Sequence, residues 1–262
     1  MAEKETKNEP KELIEAVPEE LDKIEVSLVE KEQKSFAEEK REREEARMQS
    51  ELDHWAPKTQ LGKLVKAGKE KDFDNILSFG KKVLEHQIAD SLLKLESDLL
   101  LIGQAKGKFG GGKRRAWRQT QKKTMEGNIV TFSCMAVVGD RQGHVGIGLG
   151  KAKETLPSRQ KALRNAKLNI MKVELGYESP EEEKTSPHTV PFIVEGKCGS
   201  VRIKLIPAPR GTGLVVGDEC KKILSLAGIQ DVYGVTKGHT RTTFNVAKAC
   251  VDALSKTTKM LK

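Results

Sequence analysis

Apolar residues recur along this chain with two different periods, and the change of period organises it. Leu61, Leu64 and Val65 sit at helical spacing before Gly68. Val83, Leu84, Ile88, Leu92, Leu95 and Leu99 then step by three and four, which predicts an amphipathic helix that must pack on something. Near residue 128 the period becomes two. Ile129, Thr131, Ser133, Met135 and Val137 alternate with Val130, Phe132, Cys134, Ala136 and Val138. The run Gly139–Asp140–Arg141–Gln142–Gly143 supplies a turn, and Val145, Ile147 and Leu149 lead back, predicting a β-hairpin over 128–150. Gly146, Gly148 and Gly150 occupy the other face of the return strand, leaving it bare enough for a second backbone to approach closely. A helix is expected from near Pro157, a residue tolerated at the first helical position. Ala162, Leu163, Ala166, Ile170 and Val173 share its inner face, with Lys161, Arg164 and Lys172 on the other side and Arg159 and Lys167 on its flanks.

Residues 174–188 are polar and acidic, contain Pro180 and Pro187, and read as a domain boundary. Two strands are expected beyond it, Thr189–Glu195 and Ser200–Ile206, joined by a turn at Gly196–Gly199. The turn 207–213 follows, then a helix from an Asp218 N-cap to Gly228 as its C′ residue. A strand over Ile229–Val235 and a last helix from about Thr243 to Lys256, with Ala247, Cys250, Val251 and Leu254 inward, complete an α+β pattern. No repeat at solenoid periods is visible. These shifts divide the chain at 1–54, 55–103, 104–178 and 179–262.

Composition changes the picture at both ends. Charged residues make up 32% of 262 and aromatics only 4%, too polar for one large core throughout. Residues 1–50 hold 16 acids against 10 bases, a net of −6, so the remaining 212 carry +15 and the whole chain +9. The first segment reads as a solvated helix or disordered arm. The rest is basic enough to require an anionic partner, of which nucleic acid is the commonest. Between 107 and 118 the chain is glycine, lysine and arginine without periodicity, and is expected to be a loop that tracks a phosphate backbone, with Trp117 placed to stack on a base.

Several chemistries are excluded by position. A P-loop needs GxxxxGK followed by Ser or Thr, but Lys151 is followed by Ala152 and Val145 stands five before Gly150. The dinucleotide pattern fails because its third glycine would fall on Lys151. The five histidines are scattered, and His144 and His239, in basic turns, are better placed to bond phosphate or ribose than to act as bases. Cys134, Cys198, Cys220 and Cys250 show no CxxC pair, so neither zinc nor a disulfide frame is expected. No metal, cofactor or small-molecule substrate is implied. No apolar run reaches membrane-spanning length and no secretory h-region opens the chain, so a cytoplasmic protein is expected. What remains is glycine beside Lys and Arg in four loops, 106–123, 139–153, 207–213 and 234–241, which suits folded RNA read by shape.

The string Phe132-Ser-Cys-Met-Ala-Val-Val-Gly-Asp-Arg-Gln-Gly-His-Val-Gly-Ile-Gly-Leu-Gly-Lys-Ala-Lys-Glu154 resembles the central signature of the small-subunit ribosomal protein five family. Leu205-Ile-Pro-Ala-Pro-Arg-Gly-Thr-Gly213 followed by Ala227-Gly-Ile-Gln-Asp-Val-Tyr233 is similar to its C-terminal signature. Trp55-Ala-Pro-Lys-Thr59 points to the archaeal and eukaryotic branch, equivalent to eukaryotic small-subunit protein two. The resemblance covers about 55–258. It implies a double-stranded-RNA-binding-like domain over 104–178 and an α/β domain with a left-handed βαβ crossover over 179–262, behind a helical extension at 55–103. It also implies a ribosome-bound, non-catalytic protein that contacts small-subunit ribosomal RNA near the decoding region and the messenger entry channel, supporting assembly and accuracy. Ribosomal proteins four, eight and three would be its neighbours, with Arg210, Gly211, Lys221 and Lys222 at the contact with protein four. The loop mapping to about Arg118–Asn128 would reach toward the head–body neck.

Arg114, Arg115, Arg118, Lys122, Lys123, Arg141, His144, Lys151, Lys153, Arg159 and Arg164 are the expected RNA contacts of the first domain. Arg202, Lys204, Arg210, Lys237 and Arg241 are those of the second. One rival reading is a stand-alone double-stranded-RNA-binding protein off the ribosome. A small kinase or nucleotidase is the enzymatic rival, since fold does not decide function.

Overall fold

The computed structural model describes residues 49–50, 52–104, 114–179 and 186–260. Expectations for the arm before 49, the glycine-rich core of the 107–118 loop and the acidic 180–185 stretch lie outside these residues. The chain divides into two compact units, of which Trp55–Lys262 holds the whole fold described below.

Three short helices come first: α1 (Gln60–Lys66), α2 (Phe73–Ser78) and α3 (His86–Leu92). Thr59 caps α1 by accepting from the Gly62 N–H at 3.0 Å. Glu85 ties the approach to that cap: its carboxylate accepts from the N–H groups of Lys58 and Thr59 and from Trp55 Nε1, at 2.9, 2.6 and 2.8 Å. Trp55, Val65, Phe73, Ile76, Val83, Ile88 and Ala89 form a satellite core closed by Ile170.

The continuous helix expected over 83–99 stops at Leu92. Glu96–Leu99 is instead strand β1, paired antiparallel with Ala136–Gly139. Leucines spaced by three and four do not distinguish a helix from a chain that turns, and an open sheet edge offered backbone partners. Strands β2 (Trp117–Thr124) and β3 (Gly127–Gly139) follow, then β4 (His144–Ala152), helix α4 (Thr155–Leu168) and β5 (Ile170–Lys172). β3 is the spine: β2 and β1 pair with successive stretches of one edge, β4 with the other, and β5 joins β4. The β3–β4 hairpin is as expected. α4 begins at Thr155 after Glu154, so Pro157 is its third residue, and Ile170 and Val173 lie beyond its end.

The C-terminal part holds β6 (Val194–Cys198), β7 (Val201–Pro207), β8 (Leu214–Val215), α5 (Asp218–Ala227), β9 (Val232–Lys237) and α6 (Thr243–Met260). The sheet order is β6-β7-β9-β8, antiparallel except for the β8–β9 pair that α5 connects. Gly196 is a correction. It lies inside β6, not in a turn, because a Cβ there would overlap the Ala249 carbonyl of α6; the turn is Gly199, with φ +62°. Gly217, not Asp218, is the N-cap of α5, leaving Asp218 and Glu219 in the first turn where the helix dipole favours them. Gly228 takes the expected left-handed C-cap, φ +93°.

α5 touches β1, β3 and β4 as well as β8, and α6 touches β6, β7 and β5. Met135, Val137 and Val145 of the first sheet therefore share one core with Ile203, Leu205, Ile223, Leu224, Ile229 and Leu254. Each such large side chain contributes roughly 1.5–3 kcal/mol on burial. Cys220 and Cys250, far apart in sequence, meet in this core: a thiol–thiol hydrogen bond pushes the fully buried Cys250 up and draws Cys220 down. No described helix is long and apolar enough to cross a membrane.

Candidate RNA-binding surface

β2 and the first half of β3 form a two-stranded ribbon that the sequence pattern marks as loop up to Arg118. Register pairs run from Trp117–Cys134 to Thr124–Gly127, and the Thr120 and Thr131 hydroxyls bond across at 2.7 Å. Arg118, Thr120 and Lys122 point to one side and Gln119, Gln121 and Lys123 to the other, and all six are exposed. Met125 at the tip is fully exposed. An isolated two-stranded ribbon is marginal in water and gains order from a partner. Trp117 departs from its expected role: it packs edge-on against Phe132 with ring centroids 5.4 Å apart, and the Arg115 guanidinium stacks on it at 4.9 Å. That is a packing role rather than a free platform for a base.

The β3–β4 turn is docked on the chain itself. The N–H of Arg141, whose φ is +60°, donates to Leu226 at 2.9 Å, and that of Gly143 to Ala227 at 3.1 Å. Gly228 leaves the space that the Arg141 carbonyl needs. The Arg141 side chain remains 61% exposed and pairs with Glu96 at 2.6 Å.

His144 is buried with both ring nitrogens engaged. Nδ1 lies 2.6 Å from Asp140 and Nε2 lies 2.7 Å from Asp74. Burial opposes its charge, but the hydrogen bonds that the two carboxylates accept prevail and its pKa is raised. Asp74 and Asp140 are lowered in turn, against the same desolvation, by bonds to Lys172 and His144 and to His144 and the Gln142 N–H. With a carboxylate at each ring nitrogen, His144 bridges the β3–β4 turn to the second helix of the extension and has no ring nitrogen left open to a phosphate.

The alternating glycines also have an internal partner. A Cβ on Gly146, Gly148 or Gly150 would overlap the Ala166, Ala162 or Ser158 carbonyl oxygen of α4. The close backbone approach is real, and the backbone is this helix. Lys151 and Lys153 at the end of β4, and Arg164 on α4, remain exposed, while Arg159 is half-buried.

On the open face of the second sheet Arg202 stands beside Lys237 in register and is exposed. Lys204 is half-buried and lies 3.5 Å from Glu195. Arg210 is exposed and donates to the Ser186 carbonyl and hydroxyl at 3.2 and 3.1 Å, beside Gly211 at φ +87°. Lys221 is exposed. Lys222 reaches Asp98 at 2.9 Å and the Leu99 carbonyl at 2.9 Å, and so joins α5 to β1.

Sequence spacing does not reveal that Arg114 and Arg118 meet His239 and Arg241. These four line one cleft of about 640 Å³ between the start of the ribbon and the loop before α6. More than a hundred residues separate the two segments, and the core that both sheets share with α5 and α6 brings them together.

Comparison with known proteins agrees with this layout. The family description "Ribosomal protein S5, N-terminal domain" matches residues 116–174, and "Ribosomal protein S5, C-terminal domain" matches 196–262. The small ribosomal subunit protein uS5 of Nanoarchaeum equitans is 47% identical over 206 residues, covering 78% of this chain and 88% of that protein. The uS5 of Thermoplasma acidophilum is 44% identical over 209 residues, 79% and 88%, and that of Methanococcus maripaludis 41% over 221 residues, 84% and 90%. The chain belongs to the uS5 family. These relatives are archaeal, in keeping with the Trp55–Thr59 signature. The uS5 N-terminal match opens at β2 and closes after β5, and the C-terminal match runs from β6 to the end of α6. Helices α1–α3 and strand β1 fall outside both, yet β1 completes the first sheet. uS5 is a non-enzymatic ribosomal protein, and among the described residues no group of His, Cys, Asp or Glu is arranged to hold a metal.

Proposed function

We propose that this chain is a structural constituent of the small ribosomal subunit. It binds small-subunit ribosomal RNA, aids subunit assembly, and supports decoding accuracy near the messenger entry channel. The observation that carries this is the β2–β3 ribbon, whose Arg118, Lys122 and Lys123 stand exposed on its two faces. Family membership supports the reading, since the relatives are named as small-subunit proteins.

In this proposal the chain comprises the extension 55–103, a double-stranded-RNA-binding-like domain over 104–178 and an α/β domain over 179–262 with a left-handed β8–α5–β9 crossover. Arg114, Arg118, Lys122, Lys123, Lys151, Lys153 and Arg164 meet RNA from the first domain, with Arg115, Arg141 and Arg159 held nearer the body of the protein. Arg202, Lys204, Lys237 and Arg241 meet it from the second. Arg210, Gly211 and Lys221 face ribosomal protein four, with proteins eight and three as further neighbours and messenger RNA close by.

Equilibrium binding to isolated small-subunit ribosomal RNA at several salt concentrations tests this. Tight binding that weakens steeply with salt is expected, the slope of log K against log salt being about −0.7 to −0.9 for each phosphate neutralised. Affinity no better than for unrelated RNA of the same length would defeat it.

A further inference from the structure

We infer that the cleft between the ribbon and the start of α6 seats a single unpaired nucleotide of an RNA chain, clamped by guanidinium groups from both domains. The inference rests on the RNA-binding reading above and gives it a specific seat and a preferred substrate shape. Arg114 and Arg118 approach from the first domain, and His239 and Arg241 from the loop before α6. Among the described residues no acid lines the cleft; Glu219 is near enough to Arg114 to feel its charge, but its carboxylate accepts from the Leu101 N–H at 2.9 Å. Among the described residues none of these three arginines is in a salt bridge, and all three line the cleft.

Shape decides between ligands. A regular duplex is a convex cylinder with its phosphates spread along ridges, and it can touch the rim of a cavity of about 640 Å³ but cannot enter it. A flipped-out nucleotide fits such a volume. The lining also suits one: arginine forks match a phosphate bidentately, while the half-buried Phe244 offers apolar surface to a base. Gln104 and Thr242 supply donors and acceptors for the base edge or the ribose hydroxyl. The α6 N-terminus at Thr243 adds partial positive charge to a site that the arginines already define. The exposed ribbon next to it would hold the flanking helical RNA, so one protein engages paired and unpaired segments together.

The test uses the full chain and two short RNA duplexes that differ only in that one carries a single bulged nucleotide. The wild-type chain is expected to bind the bulged RNA on the order of tenfold more tightly, the scale of one stacked base. An Arg114→Ala, Arg118→Ala, Arg241→Ala triple variant, checked for an unchanged melting temperature, should lose this preference. A Lys122→Ala, Lys123→Ala variant should weaken both RNAs alike and keep it. Equal wild-type affinity for the two RNAs, or a preference that survives in the triple variant, overturns the inference and leaves the RNA-binding reading standing. Failure of the wild-type chain to bind either RNA strikes the RNA-binding reading itself. Free mononucleotide should not displace the bulged RNA at comparable concentration; displacement would show that the cleft serves a soluble nucleotide instead.

Discussion

His144 Nε2 meets Asp74 Oδ1 at 2.7 Å across 70 positions of sequence, pinning the second helix of the extension to the start of β4. Asp140 holds the other ring nitrogen at 2.6 Å, and Lys172 reaches Asp74 at 2.8 Å. The extension is thus tied to the first sheet by charge as well as by the apolar contact of Ile170 with Phe73 and its neighbours.

This network sets a pH window. The raised His144 pKa makes its contribution complete below the unfolded histidine value and lost as pH rises through the folded one. The lowered Asp74 and Asp140 contribute above the unfolded carboxylate value and lose that contribution as pH falls through their folded values. His144→Gln should cost about 1–3 kcal/mol near pH 6, since Asp140 keeps its burial and loses its cation. Urea unfolding from pH 5 to 9 checks this: the wild-type chain should lose stability toward alkaline pH and the variant should show a flatter limb. Parallel curves would contradict it.

Gly148→Ala places a methyl group against the backbone of α4 at Ala162 and Ala166. We expect about 1–3 kcal/mol of destabilisation or more, because neither strand nor helix can yield without disturbing its ladder. Gly217→Ala, where φ is −62° and a Cβ meets open space, should change stability by no more than about 0.5 kcal/mol. Thermal melts of the two variants should separate clearly, and equal melting temperatures would refute the packing account.

Neighbouring lysines on α5 should behave differently. Lys222→Ala breaks the link to Asp98 and to the Leu99 carbonyl and is expected to lower stability by about 1 kcal/mol, while Lys221→Ala leaves it unchanged. Denaturant midpoints resolve the pair. If Lys221 proved the more costly, the assignment of Lys222 to the α5–β1 joint would be wrong.

Lys122→Glu with Lys123→Glu alters the ribbon where nothing else packs. Stability should hold and RNA affinity should drop. The slope of log K against log salt should become shallower by about 0.7–0.9 for each phosphate that is no longer neutralised. An unchanged slope with lowered affinity would point to misfolding of the ribbon instead.

Much of the fold is legible in the sequence. The period-two run with its glycine turn marks β3 and β4, and Gly228 marks the end of α5. Of the expected inward residues of α6, Ala247, Cys250 and Leu254 are buried and Val251 is half-buried against the same core. The misses have physical reasons. β2 is polar on both faces because both meet solvent, so no alternation announces it. Leu95 and Leu99 keep a helical step while the chain leaves the helix for a sheet edge. Gly196 and the alternating glycines of β4 have the look of turn or ligand positions, and only the packed helices show that they make room for α6 and α4. Long-range pairing decides the rest. The basic turn around His144 suggests a phosphate donor, but the carboxylate that occupies Nε2 comes from 70 residues upstream. The cleft at Arg114 and Arg241 is hidden for the same reason.

The most direct test of the central claim is sedimentation of the full chain from cell extract through a density gradient at physiological salt. The account predicts that the chain runs almost entirely with small ribosomal subunits and the larger particles that contain them, and is released as salt is raised. A chain found almost wholly at the top of the gradient at physiological salt, while retaining affinity for duplex RNA, would contradict a ribosomal role and favour a stand-alone RNA-binding protein.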